Sequence, residues 1–225
     1  QIVRINGFDT PWGAADLETI AAARPQAVLL LKVNSAADVE DLCARMDDLD
    51  GFADTKIWAM METPDGILNA AAIAKAPRMA GMVMGTNDLA KDLGARFDPD
   101  RMPMIAALGM CVLAAKSAGI VVVDGVYNAF RDEEGLQKEA SQGRDMGFDG
   151  KTLIHPAQVA IANSVFAPSD DDVDLARRQI EAFESATADG QGVAVVDGKI
   201  VENLHVETAK ATLAKADAIA KIEAA

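Results

Sequence analysis

"KIWAMMETPDGILNA", residues 56–70, sets an unbroken apolar run against a carboxylate, Glu62, then a Thr-Pro-Asp-Gly turn and a new helical pattern. A run that is apolar throughout, without alternation, is what a parallel sheet covered on both faces requires. A buried strand gains nothing from a charge at its tip, so Glu62 points to a ligand. The same grammar recurs outward from this stretch. Apolar runs stand at Ile2–Ile5, Ala27–Val33, Met82–Met84, Gly119–Gly125 and Lys151–Pro156, separated by helical patterns such as "SAADVEDLCARMDDL" and "PMIAALGMCVLAAKSAG".

Repeated β-α units predict a doubly wound sheet or a (β/α)8 barrel. Neither a G-x-G-x-x-G after the first run nor a P-loop sequence is present, which removes the main argument for a nucleotide-binding doubly wound fold. The reading is therefore a (β/α)8 TIM barrel. Six runs are counted, and the chain opens in mid-strand without methionine, so the barrel is expected to lack its first two β-α units here. Residues 1–167 form the catalytic barrel in this reading, and residues 168–225 a helix–hairpin–helix extension. Ser169 is the expected N-cap of its first helix and Asp197-Gly198 the hairpin turn.

Composition narrows the function. The net charge of −14, from 35 acidic and 21 basic residues, opposes nucleic-acid binding, and 4% aromatic content leaves few stacking platforms. No apolar stretch reaches the length of a membrane span. Cys43 and Cys111 stand alone, which argues against zinc and disulfides and for a reducing cytoplasm.

In a barrel, the C-terminal strand ends form the active face. They present Lys32, Glu62, Asp88, Asp124 and His155, with Arg4 inside the first strand. Glu62 and Asp88 lie 26 positions apart, one β-α repeat, which puts two carboxylates on neighbouring strands. So close, they repel and raise at least one pKa unless a divalent cation sits between them. Magnesium, with manganese as the alternative, suits one or two carboxylates plus water and substrate oxygens. Arg4 is a candidate carboxylate clamp. Asp124 reads equally as a turn residue, Lys32 as an internal charge and His155 as a local hydrogen-bonding group.

The segments "RINGFDTPWG", "METPDGILNA", "GTNDLAKDLG", "DGVYNAFRDEEGL" and "GFDGKTLIHPAQ" resemble, in order, the motifs of citrate lyase beta-subunit-like and malyl-CoA lyase enzymes of the HpcH/HpaI aldolase superfamily. The resemblance implies a magnesium-dependent barrel acting on a carbon–carbon bond beside a coenzyme A thioester. It makes Glu62 and Asp88 the metal ligands, puts Arg4 on the substrate, and sets Ile154-His155 along the CoA arm. It further implies a homo-oligomer, trimer or hexamer, whose C-terminal segment covers a neighbouring subunit and delivers an acid, Glu202 or Asp197. Leu31-Lys32-Val33 departs from the usual Pro-Lys-Val, and Glu202 replaces an aspartate. The expected reaction is retro-Claisen cleavage of malyl-CoA or a related 3-hydroxyacyl-CoA. Hydrolysis of malyl-CoA, a citrate lyase beta subunit and a non-catalytic CoA-binding protein are the alternatives.

Overall fold

The computed structural model describes residues 1–224. The backbone runs β1 (Ile2–Ile5), α1 (Gly13–Ala21), β2 (Ala27–Leu30), α2 (Ala36–Asp47), β3 (Lys56–Met61), α3 (Pro64–Leu68), α4 (Ala70–Ala74), β4 (Met79–Met84), α5 (Thr86–Asp92), α6 (Ile105–Ala118), β5 (Val121–Asp124), α7 (Glu133–Met146), β6 (Gly150–Lys151) and α8 (Val159–Phe166). It continues through α9 (Asp170–Ala188), β7 (Ala194–Val196), β8 (Lys199–Val201) and α10 (Asn203–Glu223).

All neighbouring strands among β1–β6 pair in parallel, in the order β1-β2-β3-β4-β5-β6. A doubly wound sheet reverses its order at a switch point. Here each strand is simply laid beside the last, the stave-by-stave order of a β/α barrel wall. The apolar runs do what their composition demands: Val28, Leu30, Ile57, Ala59, Met61, Met82 and Met84 are all buried. Each strand delivers its C-terminal end, and the loop after it, to the same side of the sheet.

Several boundaries differ from the sequence reading, each for a local reason. β2 stops at Leu30 because Lys32 adopts φ +52°, a left-handed turn no strand tolerates. β5 starts only at Val121, since Gly119 (φ +70°) is the left-handed C-cap of α6. β6 is just two residues long, and the Thr152 N–H donating to the Asp124 carbonyl is the last rung of its ladder with β5. The helical pattern that follows the Thr-Pro-Asp-Gly turn is broken at Asn69, which ends α3 and opens α4 while its side chain donates to the Asn34 carbonyl.

The described residues divide into two compact units, the first ending at Ala162 and the second starting at Asn163, so this division falls inside α8. In the second unit, Ser169 caps α9 through the Asp172 N–H, and the antiparallel β7–β8 hairpin turns at Asp197-Gly198. Its small core gathers Ala194, Val201 and Val206 against Ile180 and Phe183. Among the described residues, no helix is long and apolar enough to cross a membrane.

Candidate active site

Glu62 follows the last residue of β3 and is only 5% exposed. It can stand there because Gly85, bonded to the Met61 carbonyl at the end of the neighbouring strand, has no side chain; a Cβ would overlap Glu62. The left-handed turn at Lys32 aims that residue's backbone N–H at Glu62 Oε1, 2.9 Å away. Burial pushes the Glu62 carboxyl above its ordinary value of 4.5. The Lys32 N–H opposes that rise, the nearby Asp88 charge adds to it, and the Lys32 and Arg4 charges oppose it. Arg4, Lys32, Glu62 and Asp88 are thus brought together, from the ends of β1–β4 and the turns after them.

Asp88 stands in the first turn of α5, half-buried, but it is not the helix cap; Gly85 holds that position. Among the described residues, the Asp88 carboxylate and Glu62 Oε2 accept no hydrogen bond, and no sealed side-chain polar atom is left unpaired. Both acceptors therefore remain reachable from outside the protein. Two acceptor-only groups, one buried and raised by the other's charge, are a donor set for a hard, oxygen-preferring cation. No cluster of three or more His, Cys, Asp or Glu suited to a metal occurs among the described residues, so the protein itself offers no more than this pair of carboxylates here.

Asp124 requires a correction. It ends β5, is fully buried and faces cations instead of a substrate. Arg101 Nη1 lies 2.8 and 2.7 Å from its two carboxylate oxygens, and Lys151 Nζ 3.2 Å from Oδ2. Lys151 also reaches Glu139 at 2.6 Å, while Arg101 Nε donates to Gln142 and Nη2 to the Glu139 carbonyl. With both its oxygens taken by cations, Asp124 has no capacity left for a ligand; it ties β5 to β6, α7 and the loop before α6.

Ile154 is exposed, and its N–H is held by Gln158 Oε1. His155 caps the following turn, its Nδ1 accepting from the Ala157 N–H while its ring stacks on Phe130 at 4.7 Å. Buried Gln158 also donates to the Tyr127 carbonyl, so it fastens this segment to the loop after β5. In the second unit, Asp197 (φ +51°) is engaged by Arg178 Nη1 at 2.8 Å through both oxygens. Glu202 precedes α10 and its backbone N–H donates to His205 Nδ1.

The sequence reading passed over Arg101, Glu139, Lys151, Gln142, Gln158 and Thr86. Lys151 carried a usable signal, a lysine opening an apolar run beside other buried strands. Arg101 carried none, because it lies in the irregular "FDPDR" loop and its partners come from distant segments.

With this geometry in hand, known proteins can be set beside it. The chain is 63% identical over 224 residues to a (3S)-malyl-CoA thioesterase of Cereibacter sphaeroides, covering 100% of this chain and 76% of the relative. Against the citrate lyase subunit beta of Escherichia coli it is 35% identical over 222 residues, covering 96% of this chain and 74% of that one. In three dimensions it resembles the CitE protein of Mycobacterium tuberculosis in complex with magnesium, acetoacetate and coenzyme A (TM-score 0.81, 32% identity, 96% of this chain and 78% of that chain). The family described as HpcH/HpaI aldolase/citrate lyase matches residues 1–156. The family match over most of the chain and the identity to its relatives agree with the barrel topology: the chain belongs to the HpcH/HpaI aldolase/citrate lyase family.

Proposed function

We propose that the protein hydrolyses a malyl-CoA-type thioester, releasing the free hydroxy acid and coenzyme A. The observation that carries this reading is the 63% identity to a (3S)-malyl-CoA thioesterase along the whole chain, against 35% to a citrate lyase beta subunit over nearly the same span. The carbon–carbon lyase reading drawn from the sequence accordingly yields to the hydrolase that stood beside it.

Glu62 and Asp88 are the residues to hold a magnesium ion, as their open acceptors and mutual repulsion suit. When bound, such an ion supplies Lewis-acid polarisation of the acyl group's oxygens. The Lys32 N–H fixes the face that Glu62 presents. Arg4 is exposed, makes no hydrogen bond among the described residues, and lies close enough to influence Glu62. In this reading its guanidinium clamps the acyl carboxylate through two parallel hydrogen bonds. In the reaction, a water oxygen bonds to the thioester carbonyl carbon, the C–S bond breaks, and the sulfur leaves with its electron pair and takes up a proton.

Mixing purified protein with (3S)-malyl-CoA and magnesium tests the reading. Malate and free thiol are expected in equal amounts. Glyoxylate with acetyl-CoA overturns hydrolysis and restores the lyase.

A further inference from the structure

Asn87 and Asn128 meet through both halves of their amides. Asn128 Nδ2 donates to Asn87 Oδ1 at 2.7 Å, and Asn87 Nδ2 returns a bond to Asn128 Oδ1 at 3.2 Å. One residue stands in the first turn of α5, next to Asp88; the other lies in the loop after β5. Because the pairing is reciprocal, neither amide can turn over without losing both bonds.

The first turn of α5 needs such a hold. The helix is only seven residues long, and its N-cap, Gly85, brings no side chain to close the turn. Among the described residues, Thr86 and Asp88 make no side-chain hydrogen bond, so the Asn87 amide is the one side-chain tie this turn has. The direction of the Asp88 carboxylate is therefore set by where the turn sits, not by a partner of its own. The loop that supplies Asn128 is itself anchored. Its Tyr127 carbonyl accepts from buried Gln158 Nε2 at 2.9 Å, the Phe130 N–H donates to the Asn128 carbonyl at 2.9 Å, and the Phe130 ring stacks on His155. It also presses directly on α5, since a Cβ on Gly125 would come within 2.5 Å of Thr86 Oγ1. Both asparagines are exposed, so water replaces their bonds at little cost to the fold. The pair is weak as a stabilising contact and specific as a hold on orientation.

We propose that Asn128 is a positioning residue for Asp88: its paired amide with Asn87 holds the first turn of α5 so that the Asp88 carboxylate meets the same cation as Glu62. The inference rests on the reading of Glu62 and Asp88 as metal ligands, and it adds to them a residue that touches neither metal nor substrate.

The test measures Mn2+ binding without substrate, through loss of the free ion's electron spin resonance signal. Wild type, Asn128→Ala, Asn87→Ala and the double variant are compared, with thermal melting of each in metal-free buffer. Asn128→Ala is expected to bind manganese about tenfold more weakly, the lower end of what losing an orienting partner costs a metal ligand. Asn87→Ala should match it, and the double variant should be no weaker than either, because each single change already breaks the one linkage. Melting temperatures should stay within about 2 °C of wild type, as for other surface substitutions. Unchanged manganese affinity in Asn128→Ala overturns the proposal. Losses that add in the double variant give the two side chains separate effects, and a larger fall in melting temperature makes the pair structural; either result also overturns it. The ligand reading fails separately, through undiminished manganese binding in Glu62→Gln or none in wild type, and takes this inference with it.

Discussion

Two adjacent regions of the barrel wall, β3–β4 and β5–β6, surround their carboxylates in opposite ways. Near the ends of β3 and β4, Glu62 and Asp88 keep open acceptor oxygens, and burial together with the nearby Asp88 charge holds Glu62 above its ordinary pKa. At β5 and β6, Asp124 is wrapped by Arg101 and Lys151, and Lys151 is shared with Glu139. In the first arrangement no cationic side chain of the described residues bonds either carboxylate. The second is completed from within the chain. A carboxylate after an apolar strand is therefore half a signal; what identifies a site is whether the protein has already supplied the counter-charge.

Removing the internal counter-charge should give the largest effect. Arg101→Met leaves Asp124 buried with Lys151 as its remaining cation, and breaking such a pair costs about 3–5 kcal/mol. Chemical denaturation should show a loss on that scale. A loss below about 1 kcal/mol would mean the two carboxylate environments are less different than their geometry indicates. At the other end the balance reverses. Glu62→Gln removes a repelling charge, so the metal-free variant should melt at or above the wild-type temperature. Magnesium should no longer raise that temperature, and turnover should fall about 10²-fold, the scale of one electrostatic stabiliser. Full activity in Glu62→Gln would detach the carboxylate pair from the chemistry.

The smallest effect sharpens the comparison with a third, solvent-exposed carboxylate. Asp132 caps α7 and accepts from the Tyr127 hydroxyl and the Gly135 N–H, which hold its pKa below 3.8 while Tyr127 is pushed up to about 12. A depressed carboxyl contributes stability above its unfolded pKa and loses it as pH falls from 3.8 through the folded value. A raised phenol contributes below pH 10 and loses its part between pH 10 and about 12. Melting temperatures of Asp132→Asn followed against pH should therefore decline less than wild type at both extremes. Parallel curves would show that the bond adds nothing in solution.

The course of the barrel wall was legible because buried parallel strands must be apolar throughout, and six such runs are hard to mistake. The Glu62–Asp88 pair was legible for a related reason: one β-α repeat separates neighbouring tips, so spacing in sequence becomes proximity in space. Asp124 looked identical in sequence to those two, but its fate was decided by Arg101 and Lys151, which come from a loop and another strand. No local pattern records such partnerships. The end of β2 at Lys32 was hidden likewise, since a left-handed lysine has no compositional mark, and the Asn87–Asn128 amide pair became visible only once its surroundings were packed.

The twist at Lys32 has a consequence for inheritance. The donor that orients Glu62 belongs to the main chain, so it survives any substitution that tolerates the left-handed turn; glycine adopts that turn with less strain, β-branched residues oppose it, and proline deletes the donor. Drift in the lysine side chain can thus retune charge around the centre while the carboxylate keeps its aim, leaving selectivity free to evolve on an anchor that mutation seldom touches.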